Sequence, residues 1–68
     1  MKNQFSSERL KALRKENNLT QAELGNLAGC RDCFIMQCEK GQKQPSVDLL
    51  ARMASALNCT TDYLMCRD

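Results

Sequence analysis

The stretch TQAELGNLAGCRDCFIMQCEKG, residues 20–41, decides how this chain folds. It contains two short segments of helix-favouring residues, divided by residues 29–31. Thr20 and Glu23 form a T-x-x-E pattern, which predicts a capping box at the start of the first helix. Gly29 should end that helix, because glycine readily accepts the positive φ found after a helix terminus. The apolar stripe of this helix is expected to consist of Leu24, Leu27 and Ala28.

The second segment predicts a helix from about Asp32 to Lys40, followed by Gly41. If Ile35 faces inward, Cys38 lies on the same face and Glu39 lies beside it. The opposite face then carries Cys33, Gln37 and Lys40, with Met36 on its edge. Two short helices joined by such a short turn are typical of a helix-turn-helix, and a polar outer face suits a helix lying in a DNA major groove.

The rest of the chain predicts three more helices, at Ser7–Asn17, Val47–Leu57 and Thr61–Met65. Ser46 and Thr60 precede the last two helices and are natural N-caps. Phe5 should fold over the inward face of the first helix. With only three Gly and one Pro, the sequence predicts an all-α, compact five-helix bundle. We expect residues 1–68 to be one DNA-binding domain, with the helix-turn-helix at about 20–40.

Composition excludes several classes of function. A chain of 68 residues buries roughly 60% of its unfolded surface, which allows one small core and no deep catalytic cleft. The absence of His removes the commonest general base, and no phosphate-binding glycine loop is present, so we predict no enzyme activity. No secretory signal or membrane-length apolar run occurs, so we expect a cytoplasmic protein. A net charge of +2 permits nucleic-acid binding without requiring it.

Five cysteines are many for a chain of this length, and we expect them to stay reduced in the cytosol. Cys30-x-x-Cys33 has the spacing of half a zinc site. The second half is missing, because Cys38 and Cys59 are far apart in sequence and the helical register points Cys33 away from Cys38. We therefore predict no metal and no cofactor.

A longer series of residues, in order along the chain, points to a known family. The series is Arg9-Leu10-x-x-Leu13-Arg14, Leu19-Thr20-Gln21-x-Glu23-Leu24, Leu27-Ala28-Gly29, Ile35, Glu39-x-Gly41, Pro45-Ser46, Leu57-Asn58-Cys59 and Asp62-Tyr63-Leu64. It resembles the Cro and lambda-type repressor helix-turn-helix family of phage and bacterial transcription regulators. The resemblance implies a regulator, usually a repressor, that binds two-fold double-stranded operator DNA as a homodimer. Such a protein acts at the nucleoid of a bacterial or phage-infected cell.

The resemblance also implies roles for individual residues. Phosphate contacts are expected from Gln21 and from the loop residues Lys40, Lys43 and Gln44. Base contacts are expected from Arg31, Asp32 and Cys33, with Gln37 one turn further on. A largely buried ion pair should join Arg14 to Glu39. The dimer contact should involve Val47, Cys59, Thr61 and Asp62.

Several positions depart from the family pattern, which usually has Val at Cys30, Ser or Thr at Arg31, Ser at Met36 and a large apolar residue at Cys38. We interpret Cys30, Cys38 and Cys59 as small core residues. Arg31 is a poor N-cap, so Asp32 is expected to cap the helix one residue later.

The sequence leaves more than one interpretation open for Phe34, for Cys33 and for the function of the chain. Phe34 either packs against the second helix, which is favoured, or contacts a thymine methyl group. Cys33 is neutral, contacts a thymine methyl group, or is an oxidisable thiol. The rival function is a protein-interaction module of antitoxin or antirepressor type with weak DNA binding.

Overall fold

The computed structural model describes residues 5–66, which form five α-helices and no strand. The helices are α1 (Ser7–Glu16), α2 (Gln21–Ala28), α3 (Asp32–Glu39), α4 (Val47–Ala56) and α5 (Thr61–Leu64). The predicted all-α bundle is thus confirmed, whereas the predicted domain ends at residues 1 and 68 lie outside the described range. Four predicted helices each extend one residue beyond the observed end. In each case the N–H of the extra residue still donates to a carbonyl of the helix. Its ψ, however, is near zero, as at Asn17 (ψ 5°).

Side-chain caps begin four of the helices. Thr20 and Glu23 form the predicted capping box, in which Glu23 N–H donates to Thr20 Oγ1 at 3.0 Å and Thr20 N–H donates to Glu23 Oε1 at 2.8 Å. Ser46 and Thr60 cap α4 and α5 as predicted. Ser6 caps α1, which the sequence analysis did not anticipate.

Helices α1 to α4 end in the same way, at a residue with positive φ: Asn18 (57°), Gly29 (80°), Gly41 (76°) and Asn58 (57°). In each case the following N–H donates to a carbonyl five residues back, as Cys30 N–H donates to the Gly25 carbonyl at 2.8 Å. This Schellman arrangement satisfies carbonyls at the helix end and turns the chain sharply. These turns place α2 against α3 and α4 against α5.

The core lies where α2 packs against α3 and α4 and where α1 packs against α3 and α5. Its largest fully buried side chains are Leu10, Leu24, Ile35, Met53, Leu57, Leu64 and Cys38. Phe5 packs against this core as predicted. Within residues 5–66, none of the helices has the length and apolar character needed to cross a lipid bilayer.

The predicted apolar stripe of α2 is partly wrong. Leu24 and Ala28 are buried, but the Leu27 side chain is 59% exposed and Gly25 is buried in its place. The reason is that the turn and the start of α3 pass over α2 at Gly25. A Cβ atom on Gly25 would lie only 2.7 Å from the carbonyl oxygen of Cys30.

Candidate nucleic-acid interface

Helix α3 has one buried face and one uncovered face. Ile35 and Cys38 are fully buried. Cys33 and Lys40 are exposed on the opposite side, and Gln37 is half-buried beside them. The predicted helical register is therefore confirmed, and the outer face of α3 is polar at its centre.

The start of α3 differs from the expected capping arrangement. Arg31 occupies the N-cap position with extended backbone angles (φ −84°, ψ 154°) and makes no side-chain cap hydrogen bond. The prediction that Asp32 caps the helix is wrong, because Asp32 is already its first residue. Its Oδ1 instead accepts a hydrogen bond from the Cys33 N–H at 2.8 Å. Arg31, Asp32 and Cys33 are all exposed here, about one helical turn before Gln37.

An ion pair between Arg14 and Glu39 joins α1 to the end of α3. Arg14 Nε donates to Glu39 Oε2, and Arg14 Nη2 donates to Glu39 Oε1 at 3.1 Å. The two side chains are only 11% and 3% exposed. Arg14 Nη1 also donates to the Leu19 carbonyl at 2.7 Å, just before α2. These contacts therefore hold the end of α3 against α1 and against the connection that leads into α2.

Gln21, the first residue of α2, also belongs to this cluster. Its Nε2 donates to Glu39 Oε1 at 3.1 Å, and the side chain is half-buried. An amide nitrogen carries two N–H groups, so one remains for a second acceptor. Glu39 thereby orients Gln21 at a helix N-terminus, where free backbone N–H groups favour an anion. The phosphate contact of Gln21 stays a prediction.

The loop after α3 is folded back onto the end of that helix. The N–H groups of Gln42 and Lys43 donate to the Gln37 carbonyl at 2.9 and 3.4 Å. Lys40, Lys43 and Gln44 are all exposed. These predicted backbone-gripping residues therefore lie in one loop that is attached to the carboxyl end of α3.

Positive charge dominates the exposed part of residues 31–44. Arg31, Lys40 and Lys43 are exposed cations, and Asp32 is the one exposed carboxylate in this segment. Glu39 contributes little to the surface charge, because its carboxylate is buried against Arg14. The segment is therefore more basic than the net charge of the whole chain implies.

Three cysteines take the core positions that the sequence predicted. Cys38 is fully buried, and Cys30 and Cys59 are half-buried and pack against the core. Burial raises the pKa of the Cys38 thiol to about 11, with smaller contributions from Cys30 and Glu39. Burial also raises the pKa of Cys30 and that of Cys59. These thiols are protonated at neutral pH and act as small apolar groups.

The solvent exposure of two other α3 side chains, Phe34 and Cys33, shows on which side of the helix each one lies. Phe34 is half-buried and packs against the core, whereas its predicted contact with the second helix stays a prediction. Cys33 is exposed on the outer face, as expected from the register. Among residues 5–66, no three Cys, Asp or Glu side chains cluster in a way that would hold a metal ion.

The residues predicted for dimerisation differ in exposure. Val47, at the start of α4, is 85% exposed, and Asp62 is exposed at the start of α5. Cys59 and Thr61 are half-buried. Val47 thus presents most of the apolar surface in this set, and the dimer contact stays a prediction.

Gly25 is the positioning residue that the sequence analysis missed. It lets the turn approach α2 closely enough for α3 to be held at its observed position. A glycine inside a helix lowers the stability of that helix, so its presence there indicates a packing reason. A close approach of another backbone is such a reason. That signal was present between Leu24 and Asn26.

Two short helices, a three-residue turn and an uncovered outer face on the second helix define a helix-turn-helix protein. A family model described as "Helix-turn-helix" matches residues 10–64, and the chain belongs to this family, in the Cro and lambda-type repressor group. The chain is 35% identical over 65 residues to the repressor protein C2 of Salmonella phage P22, covering 96% of this chain. It spans only 30% of the length of that relative.

Two solved structures of the same phage repressor are closely similar. One is the crystal structure of the P22 c2 repressor in complex with synthetic operator 9T, with a TM-score of 0.89 and 35% identity. That similarity covers 96% of this chain and 98% of the other. The second is the solution structure of the DNA-binding domain (1–76) of the P22 C2 repressor, with a TM-score of 0.84 and 36% identity. It covers 94% of this chain and 84% of the other.

Proposed function

We propose that this chain is a sequence-specific, double-stranded DNA-binding transcriptional repressor and not an enzyme. The observation that carries this proposal is the outer face of α3, which is uncovered and bordered by exposed cations, on a helix joined to α1 by a buried ion pair. The protein acts as a homodimer on a two-fold operator, in the cytoplasm of a bacterial or phage-infected cell. Residues 1–68 form its DNA-binding domain, whether or not a longer protein contains them.

The dimensions and chemistry of α3 suit a major groove. An α-helix with its side chains is about 10–12 Å in diameter, and the major groove of B-DNA is about 12 Å wide, so α3 fits into the groove. Gln37 has an amide that can pair with adenine N6 and N7. At the start of α3, Arg31 matches the acceptors of guanine, and Asp32 matches the amino group of cytosine. Cys33 lies beside them and faces the same bases.

Phosphate contacts come from both sides of this helix. Gln21 approaches one phosphate from the start of α2, where the helix dipole favours negative charge. The exposed loop residues Lys40, Lys43 and Gln44 grip the backbone beyond the end of α3. These contacts set the register of the protein on DNA without reading sequence.

Dimerisation places two α3 helices in successive major grooves. The half-sites of such a dimer lie about 34 Å apart, one turn of B-DNA. The exposed Val47 supplies an apolar contact, and Cys59, Thr61 and Asp62 complete the surface around the start of α5. The similarity to an operator-bound phage repressor along nearly the whole chain supports this arrangement.

Selection of DNA from a random pool, followed by affinity measurements at 50–200 mM salt, tests this function. We expect a palindromic site, and log K should fall linearly with log salt concentration, by roughly 0.9 per phosphate contact. Salt-insensitive association with a protein, without enrichment of any DNA sequence, would instead support the interaction module of antitoxin or antirepressor type.

A further inference from the structure

The central part of α3 lacks the side chains that most often recognise guanine. Guanine presents two acceptors, O6 and N7, and Arg or Lys is their commonest partner. From Asp32 to Glu39 the helix contains neither residue. The nearest cations, Arg31 and Lys40, lie directly before and after the helix. Charged readout of guanine is thus confined to its two ends.

The same face offers an amide and two apolar sulfur-containing groups. Cys33 and Met36 are three residues apart, and Cys33 and Gln37 are four apart. Residues at these spacings are neighbours on a helix surface. Gln37 therefore stands beside a strip formed by a thiol and a thioether.

Among residues 5–66, Met36 is an apolar side chain that is not packed against the core. It is half-buried, yet it belongs neither to the core nor to the partly buried apolar side chains packed against the core, which include Phe34 and Cys30. It lies on the edge of the outer face, toward Glu39. An apolar group in this position is suited to an apolar partner outside the protein.

The apolar feature of the major groove is the C5 methyl group of thymine. An A·T pair thus presents both partners that this face can use, namely adenine N6 and N7 for an amide and a methyl group for a thioether. We propose that the middle of α3 reads A·T base pairs, with Gln37 on adenine and Met36 in contact with a thymine methyl group. This inference rests on the proposed function and names the base-pair class that the site recognises.

Replacing single thymines by deoxyuridine in the selected half-site tests the assignment, because uracil lacks only the methyl group. We expect binding of the unmodified protein to weaken about fourfold at one position, the effect of losing one buried methyl group. Met36→Ala should bind the thymine and uracil sites equally at that position. Met36→Leu should keep the discrimination, because it retains an apolar side chain of similar size.

Cys33→Ser is the matched control, since it alters the neighbouring apolar group on the same face. It should leave the uracil effect at the Met36 position unchanged. If Cys33→Ser abolishes the effect while Met36→Ala preserves it, the assignment to Met36 is overturned. Circular dichroism should show that Met36→Ala remains folded, because Met36 lies outside the core.

The selected sequence provides an independent outcome. Invariant G·C pairs at the centre of each half-site would overturn this inference and leave the proposed DNA-binding function intact. Failure to enrich any sequence would refute the proposed function itself. A·T pairs at the centre, together with the uracil effect that disappears in Met36→Ala, would support both.

Discussion

Replacing Glu39 by Gln should be among the most destabilising isosteric changes in this protein. The substitution keeps the volume of the side chain and removes the charge that compensates Arg14. The Arg14 side chain is only 11% exposed, and two of its N–H donors are directed at the Glu39 carboxylate. Breaking a buried ion pair by removing one partner costs about 3–5 kcal/mol.

We expect a loss of about 3 kcal/mol, because the Gln carbonyl still accepts one hydrogen bond. A domain of this size is stabilised by roughly 5–10 kcal/mol, so a large share of its stability is removed. At about 4–8 °C per kcal/mol, the thermal midpoint should fall by roughly 12–24 °C. Urea titration monitored by circular dichroism measures the free energy of unfolding directly.

The ion pair between Asp48 and Arg52 supplies the matched control. It joins side chains that are 82% and 57% exposed, at 3.3 Å, within one turn of α4. Asp48→Asn should cost no more than about 1 kcal/mol, because solvent screens this pair. The double variant Arg14→Met/Glu39→Gln should be at least about 1 kcal/mol more stable than the sum of the single changes predicts. If Glu39→Gln is no more destabilising than Asp48→Asn, the reasoning from burial is refuted.

Four further predictions concern binding, pH and packing. Gln37→Ala should reduce specific binding by about 1–3 kcal/mol and relax one base position in a selection experiment, whereas equal losses on all sequences would contradict base reading. Lys43→Ala should weaken binding uniformly and lower the salt slope by about 0.9, and an unchanged slope in a salt titration would remove Lys43 from the DNA backbone. The pKa of Cys38, raised by burial from 9.0 to about 11, should make stability full below about pH 9 and lower by about 2 kcal/mol at pH 11. Urea titrations across this range should show a smaller decline in Cys38→Val, and identical profiles would contradict the assignment. Gly25→Ala should destabilise the fold by about 1–3 kcal/mol in thermal unfolding because its Cβ would meet the Cys30 carbonyl, although helix propensity alone predicts a gain of about 1 kcal/mol.

The sequence by itself determined the five helices, with their limits to within one residue. Capping residues such as Thr20 and Ser46, and left-handed residues such as Gly29 and Asn58, act within a few positions of the chain, so their effects are readable without tertiary structure. The outer face of α3 was likewise predicted, because the inward position of Ile35 fixes every other side chain on the same helix.

Tertiary structure alone decided which side of α2 is covered. Periodicity placed Leu27 in the core, yet α3 crosses α2 at Gly25, and Leu27 is left in solvent. The crossing depends on how closely two backbones approach. Gly25 signals a close approach, but the local pattern does not show which segment approaches or that Leu27 is left uncovered. Nor does periodicity show that Glu39 accepts from both Arg14 and Gln21, because those side chains come from separate helices. Local residue patterns thus defined the helices of this protein, and the packing of distant segments decided how α3 is held against the rest of the domain.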